Sequence, residues 1–303
     1  MFGLKKKNKF VIPPGGAIKS PIDRRDVLMS EIYPLPVRIA PELPPPFDLD
    51  ILDQNGFPHC VGYAGAGLKQ EKELRERISK VFDGDWIYKK CKKIDGIPNM
   101  AGTYLRIVLK ILQKQGAKPI DQPESEAIKY RIGGYAKVDD LSFEGLKKAI
   151  YVNGILLAGF IGSNTGWQSA YIKPPKAGEK TWGHAIILIG YNKDYIIGQN
   201  SWSKNWGDKG LFYVPKDYLP FEAWTVLTDR PNEIGLEGWV ASEFLRTLTF
   251  QEGAKVKPIT ALRLRENPMG NIITTLTPSQ ELEILKVGEK VQGYIWAKVK
   301  LRE

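Results

Sequence analysis

Four side chains carry the chemistry this sequence offers. Cys60 stands in DQNGFPHCVGYAGAG, where a Gly/Pro loop gives way to a run with helical spacing. A helix N-terminus presents unpaired N–H groups and a partial positive charge, so a cysteine there is biased toward the thiolate, the form that attacks carbonyls. Gln54 lies six residues earlier, close enough to fold its side-chain amide back toward the sulfur. His184 opens an apolar run in WGHAIILIGY, and Asn200 follows the next run in GQNSWSKNWG. Adjacent antiparallel strands would set that imidazole beside that amide. A thiolate, an imidazole, an amide to orient it and a second amide to receive an oxyanion make a complete acyl-transfer set. Cys91 has no such company and reads as a structural thiol on a helix. A zinc site from His59, Cys60, Cys91 and His184 would lack any CxxC or HxxxH spacing, so neither metal nor cofactor is expected.

Periodicity shows which elements must position these groups. Val61, Ala64, Leu68, Leu74, Ile78 and Val81 recur at three- and four-residue steps or their multiples, with lysines and glutamates between. That predicts an amphipathic helix from Cys60. A second helix is predicted from about Thr103 to Gln115, stopping at Gly116, and a third from Phe143 to Val152, stopping at Asn153-Gly154. Short apolar runs follow at 155–161, 185–191, 195–198 and 211–214, separated by glycine, proline and asparagine. A helical half precedes a sheet half, so the fold class is α+β.

Residues 1–46 stand apart. They hold the lysine run Lys5–Lys9, a turn signal at Pro13-Pro14-Gly15-Gly16 and the proline-rich LPVRIAPELPPPFDL, which excludes a long helix. They read as an extended arm that lies on the body or hangs free. At the other end, TDRPNE at 228–233 predicts a boundary, and only strands follow. In ITALRLRE, Thr260, Leu262 and Leu264 share one face, Arg263 and Arg265 the other. A turn at 267–270 leads to IITTL, ELEIL and YIWAKVKL, four strands in all, as in a small β-barrel or sandwich.

The order Gln54, Cys60, His184, Asn200, with GHAIILIGY and NSWSKNWGDKG, resembles the papain-like (C1) cysteine peptidases. The histidine and asparagine fall 124 and 140 residues past the cysteine, against about 130–150 in that family. WIYKKCKKIDG, GTYLRIVLKILQKQGA and GDKGLFYVPKDYL extend the likeness over residues 42–228 and look like the disulfide-poor bacterial and viral branch. The resemblance implies a two-lobed fold over residues 47–228, a helical lobe and then an antiparallel β lobe. It implies that Cys60 is the nucleophile, held as a thiolate by the His184 imidazolium. Asn200 would orient that ring, and Trp202 would shield the His–Asn hydrogen bond from water. Gln54 and the Cys60 backbone N–H would form the oxyanion hole. Peptide hydrolysis through a thioester, with His184 delivering a proton to the leaving amine, follows from those roles. Gly102, Gly183 and His59 are expected along the substrate cleft.

Two departures bear on this expectation. Where the family has Cys-Gly-Ser-Cys-Trp, this chain has Phe57-Pro58-His59-Cys60-Val61. Phe57 only removes a disulfide, whereas His59 and Val61 flank the sulfur. A long helical inhibitory propeptide is not expected in residues 1–41. The C-terminal strands resemble bacterial SH3 modules, whose closing Gly-Trp-Val strand occurs here upstream, in EGWVASEFL. Residues 229–303 are therefore expected to form an SH3-like barrel, with 237–245 supplying the last strand.

Composition bounds the remaining readings. A chain of 303 residues with 43% hydrophobic and 11% aromatic content builds a sizeable core, which excludes global disorder. Its longest apolar stretches fall well short of the ~20 residues of a membrane span. No signal peptide is visible and two cysteines make no disulfide framework, so a cytoplasmic location is expected, with lysis or carriage in a viral particle as routes out. The net charge of +10 is spread along the chain without a nucleic-acid-binding signature, so no specific nucleic acid is expected. The expected partner is a protein or peptide substrate, joined by a cell-wall or docking ligand for the SH3-like part. Two rivals remain: a catalytically silent papain-fold binding protein, motivated by His59 and Val61, and a hydrolase of peptidoglycan stem amides, motivated by the SH3-like part and the basic surface.

Overall fold

The computed structural model describes residues 11–33, 36, 38–45 and 49–228, then 237–241, 245–246, 251–258, 262–268, 272–276, 280–291 and 294–302. The lysine run, Thr260 and residues 229–233 of the expected boundary lie outside the described residues. Along the first part run β1 (Ala17–Ile18), α1 (Met29–Ile32), α2 (Cys60–Arg75), α3 (Gly84–Lys92), β2 (Thr103–Tyr104), α4 (Leu105–Lys114), β3 (Gly134–Lys137) and α5 (Phe143–Asn153). The strands β4 (Leu156–Ser163), β5 (Thr181–Tyr191), β6 (Tyr195–Gln199), β7 (Leu211–Pro215) and β8 (Glu222–Thr228) follow.

An antiparallel six-stranded sheet, ordered β3-β8-β4-β5-β6-β7, divides two cores. Along β5, Ala185, Ile187 and Ile189 join a core with α2, α3 and α4, while Ile186, Leu188 and Tyr191 join another with α5. A strand covered on both faces reads as an unbroken apolar run, which is why AIILIGY shows no polar alternation. α5 is bounded as its sequence dictates: Ser142 Oγ accepts the Gly145 N–H at 3.0 Å, and Gly154 closes the helix at φ 84°, a conformation that favours glycine.

α2 departs from the expected amphipathic pattern. It stops at Arg75, short of Ile78 and Val81, and is buried from Cys60 to Glu73 except at half-buried Tyr63, with the charged Lys69, Glu71, Lys72 and Glu73 included. Lys69 and Glu73 form a fully buried ion pair at 2.5 Å, and buried Glu71 meets Arg75. The cause is close packing on several sides. A Cβ on Gly65 would stand 2.5 Å from a Val108 methyl of α4, and one on Gly67 3.1 Å from Ile187 of β5. α4 also starts later than expected, because Thr103 and Tyr104 are drawn into a parallel pairing with Ala17 and Ile18.

The N-terminal arm lies on the body along its described length. Its glycine pair is not a turn: neither Gly15 nor Gly16 takes positive φ, and the segment runs extended into β1. Further on, Lys137 N–H donates to Val27 O at 2.8 Å, Met29 and Tyr33 are buried in the α5 core, and Leu43 exchanges backbone hydrogen bonds with Tyr191 at 2.8 Å. We refer to this part, from Ser20 onward, as the strap. Its main polar anchor is Arg106 of α4, whose Nη2 reaches Asp26 Oδ2 and Pro21 O, both at 2.5 Å. Both side chains are more than nine-tenths buried, so removing one strands the other. Arg106→Ala is expected to cost about 3–5 kcal/mol, measured as a lowered urea midpoint.

The C-terminal part is all β. β9 (Glu237–Ala241), β10 (Leu245–Arg246), β11 (Lys255–Pro258), β12 (Leu262–Arg265), β13 (Ile272–Leu276), β14 (Leu282–Val291) and β15 (Tyr294–Leu301) form a seven-stranded sheet. Its own apolar cluster includes Val240, Leu264, Ile284, Ala297 and Val299. The EGWVA segment is an interior strand: Trp239 pairs with Lys298 of β15 on one side and Arg265 of β12 on the other.

Candidate active site

The loop before α2 sets the geometry. Asn55 and Gly56 take positive φ, 50° and 80°, conformations tolerated by asparagine and glycine. The turn closes with Phe57 N–H donating to Gln54 O at 3.0 Å, and the chain enters α2 with His59 as N-cap and Cys60 as first residue. Cys60 N–H is therefore among the donors at a helix start that have no intrahelical acceptor. The Ala185 amide of β5 reaches Cys60 Sγ at 3.5 Å, and the Gly16 amide of the arm also faces the sulfur.

β5 and β6 pair antiparallel and bring His184 to Asn200, with His184 Nε2 2.8 Å from Asn200 Oδ1. That oxygen also accepts the Ser201 N–H at 2.8 Å, which identifies it as the carbonyl end of the amide and makes Nε2 the protonated ring nitrogen. Nδ1 of the neutral ring is left as a buried lone pair without a hydrogen-bond partner. Trp202 lies against the ring, centroids 4.7 Å apart, and is 1% exposed.

Gln54 is buried, with both ends of its amide engaged. Oε1 accepts from Ser201 Oγ at 2.8 Å and Nε2 donates to Phe57 O at 2.5 Å. An amide nitrogen carries two donors, so one N–H remains. Ser201 thus ties the Gln54 amide and Asn200 together. It is a candidate site residue with no sequence signal of its own, although it sits inside the NSW triplet. Trp167 is a second such residue. It is fully buried, meets His184 edge-on at 5.5 Å, stacks on Trp206 at 6.1 Å and donates from Nε1 to Tyr218 OH at 3.0 Å. No local pattern around GWQSA marks it.

The residues flanking the sulfur point elsewhere. Val61 is fully buried in the helical core. His59 stacks on Tyr88 with centroids 3.9 Å apart, and its Nδ1 lies 2.7 Å from Asp85 Oδ1. Cys91 is a buried free thiol on α3. Among the described residues no three His, Cys, Asp or Glu side chains converge on a common point, and no helix is long and apolar enough to cross a membrane.

The arm fills the space over the cysteine. Gly16 N–H donates to Gly183 O, and Gly16 O accepts from Thr103 N–H, both at 2.9 Å. Gly183 and Gly102 thus both face the arm. A Cβ on Gly15 would stand 2.6 Å from Gly183 O, and one on Gly16 would collide with the Pro58 carbonyl. The glycines are there because no side chain fits between the two walls. We call residues 11–19 the plug. Beneath it Cys60 and His184 have no solvent exposure. Burial disfavours charge on either, pushing the Cys60 thiol up to about 11 and the His184 imidazole down to about 4, against the Asn200 hydrogen bond. Between those values the pair is thiol and neutral imidazole.

The scaffold thus sets a helix-start thiol against the strand that carries the imidazole and its amide partner. Residues 96–220 match the papain family cysteine protease family, a span that contains His184 and Asn200 and begins beyond Cys60. An uncharacterized peptidase C1-like protein of Acanthamoeba polyphaga mimivirus is 25% identical over 262 residues, 68% of this chain and 83% of that protein. Cysteine proteinase 3 of Entamoeba histolytica is 30% identical over 94 residues, 28% of this chain and 30% of that protein. Among solved structures, xylellain, a cysteine protease from Xylella fastidiosa, superposes with a TM-score of 0.63 at 24% identity, covering 74% of this chain and 98% of that one. Procathepsin L2 of Tenebrio molitor superposes at 0.56 with 15% identity, over 71% of this chain and 78% of that one. These likenesses support a cysteine peptidase, with the papain family matched over residues 96–220.

Proposed function

We propose that the chain hydrolyses peptide bonds through Cys60, His184 and Asn200, and that the form described above is latent. The observation that carries the first part is the His184–Asn200 hydrogen bond under Trp202, on the strand whose Ala185 amide touches the Cys60 sulfur. With the plug out, water and substrate reach the pair, and proton transfer from Sγ to the Nδ1 lone pair gives thiolate and imidazolium. The thiolate attacks the scissile carbonyl, and the oxyanion is received by the Cys60 N–H and the remaining Gln54 N–H. The imidazolium then protonates the leaving amine, and water activated by His184 releases the acid from the thioester. Asn200 holds the ring through Nε2, and Trp202 keeps water off that bond.

Latency rests on the plug's occupancy of the cleft and on the burial beneath it, which raises the thiol against the Ala185 and Gly16 amides and lowers the imidazole. The test is labelling of the full chain, before and after removal of the plug, with a papain-directed epoxide across pH 4–9 and mass mapping of the products. Rapid modification of Cys60 and not of Cys91 after removal supports the reading. Equal labelling of both, or none after removal, refutes it.

Ser201→Ala tests the oxyanion hole. Without the hydroxyl the Gln54 amide loses its Oε1 anchor, and kcat in the unplugged enzyme is expected to fall about tenfold, less than the ~10²–10³ that follows loss of an oxyanion donor itself. KM for a peptide substrate should change little. The C-terminal sheet is read as an SH3-like docking module, supported by its independent apolar cluster and by the EGWVA strand seated between β15 and β12.

A further inference from the structure

Glu222 begins β8 beside the arm and is 1% exposed. Both of its carboxylate oxygens face one atom, the backbone nitrogen of Ser20, at 3.2 and 3.3 Å. Ser20 Oγ adds a bond to Oε1 at 3.0 Å and accepts the Arg106 N–H at 3.2 Å. Among the described residues no lysine, arginine or histidine forms an ion pair with Glu222. Neutral donors compensate a buried carboxylate poorly, and burial raises the Glu222 carboxyl against the Ser20 bonds, the charge of Lys137 and a Trp224 side-chain hydrogen bond. Both carboxylate oxygens thus converge on a position that a backbone amide fills.

Ser20 N is also where the arm changes character. Before it lies the plug, held over Cys60 by backbone contacts at Gly16 and by β1. After it comes the strap, fixed by the buried Arg106–Asp26 pair and by Met29 and Tyr33 in the core. Ser20 itself is 7% exposed, but Lys19 before it and Pro21 after it are exposed, and Ile22 is 94% exposed.

We propose that the Lys19–Ser20 bond is a maturation cleavage site, and that the new Ser20 ammonium pairs with Glu222 to hold the strap on the sheet once the plug has left. This rests on reading the plug as the latency device of a cysteine peptidase. A peptidase that accepts lysine before the scissile bond performs the cut. One water is consumed: hydroxyl goes to the Lys19 carbonyl, hydrogen goes to Ser20 N, and that amine takes a proton from solvent. The product ammonium already lies within hydrogen-bond distance of both oxygens, where a charge-assisted bond replaces a neutral one. A cut in the exposed Arg24–Arg25 turn would instead carry Ser20 away with the plug and leave Glu222 buried without its donors.

The experiment uses the full chain, treated briefly with trypsin, which cuts after lysine and arginine alike, and followed by intact mass, N-terminal mapping and acetylation of the new α-amine by acetic anhydride. The expected result is loss of residues 1–19 and a product beginning at Ser20, with release blocked in Lys19→Gln. Pairing with Glu222 should lift the α-amine above its usual value of about 8 by roughly one unit, so that acetylation at pH 7 slows about tenfold. The slowing should vanish in cut Glu222→Gln, and also in the cut wild-type chain in denaturant, which serves if the variant does not fold. A stable product beginning at Asp26 would overturn the proposal. So would a Ser20 amine that reacts equally fast in the folded and denatured cut chains. Epoxide labelling of the same cut sample separates the two claims. A protected Ser20 amine with inert Cys60 sinks the peptidase reading alone, and labelled Cys60 with an unprotected amine sinks the ammonium–Glu222 pair alone.

Discussion

Removing the plug is expected to raise the alkylation rate of Cys60 by about 10²–10³ at pH 7. The magnitude follows from the burial that the plug imposes. With the thiol pushed up to about 11, roughly one molecule in 10⁴ is thiolate at pH 7, whereas a solvated cysteine near 8.5 carries about 3%. The direction is fixed by which form burial penalises. Thiolate and imidazolium are both charged, so desolvation raises the first group and lowers the second, leaving the plugged pair neutral from about 4 to about 11. In the intact chain the rate should therefore climb about tenfold per pH unit across the neutral range. In the unplugged chain it should level off once the His184 imidazolium holds the thiolate. Gly16→Ala should reproduce part of the gain without any cut, because its Cβ would collide with the Pro58 carbonyl. Cys91 is the internal control: it is fully buried on α3, and its thiol is raised by burial among its own neighbours. Stopped-flow alkylation with mass mapping reads both cysteines in one experiment. A rate unchanged by unplugging would mean that the plug does not govern the sulfur.

The second large effect concerns His184. In the unplugged enzyme His184→Ala is expected to lower kcat/KM for a peptide substrate by about 10³–10⁵, because the proposed mechanism uses the ring as proton acceptor and then donor. Asn200→Ala should cost less, about 10², since it removes only the amide that holds Nε2. The two variants differ in a way that a purely structural role would not produce. Asn200→Ala retains a titrating imidazole and should shift the acidic limb of the pH–rate profile, whereas His184→Ala should abolish that limb.

Much of this site was legible in the sequence because its groups sit on elements with strong local signals. GHAIILIGY is an apolar run with its histidine at a fixed place, and the asparagine follows the next run directly, so strand pairing alone brings them together. The Cys60 helix start followed from the glycine-and-proline loop before it. What was not legible depends on contacts between distant parts of the chain. Trp167 reaches His184 only because β4 and β5 pair beyond it, and nothing in its own neighbourhood shows that. The charged residues of α2 looked solvent-facing by spacing, yet packing on several sides buries Lys69, Glu71 and Glu73. Gly15 and Gly16 resembled a turn because that is the commoner use of glycine after proline. Here the missing Cβ is what matters, and the reason lies across the cleft at Pro58 and Gly183.

The indole cluster around His184 has an optical consequence. Trp202, Trp167 and Trp182 have ring centroids 4.7, 5.5 and 6.0 Å from the imidazole, and Trp206 stacks behind them, so four of the eight tryptophans of the chain surround one titrating group. An imidazolium at that distance quenches excited indole by accepting an electron, whereas neutral imidazole does so far less. The intrinsic fluorescence of the protein is therefore a label-free gauge of the proton on His184. It should dim near pH 4 while the plug is in place and at a higher pH once the plug has gone, which makes maturation visible in a cuvette without substrate.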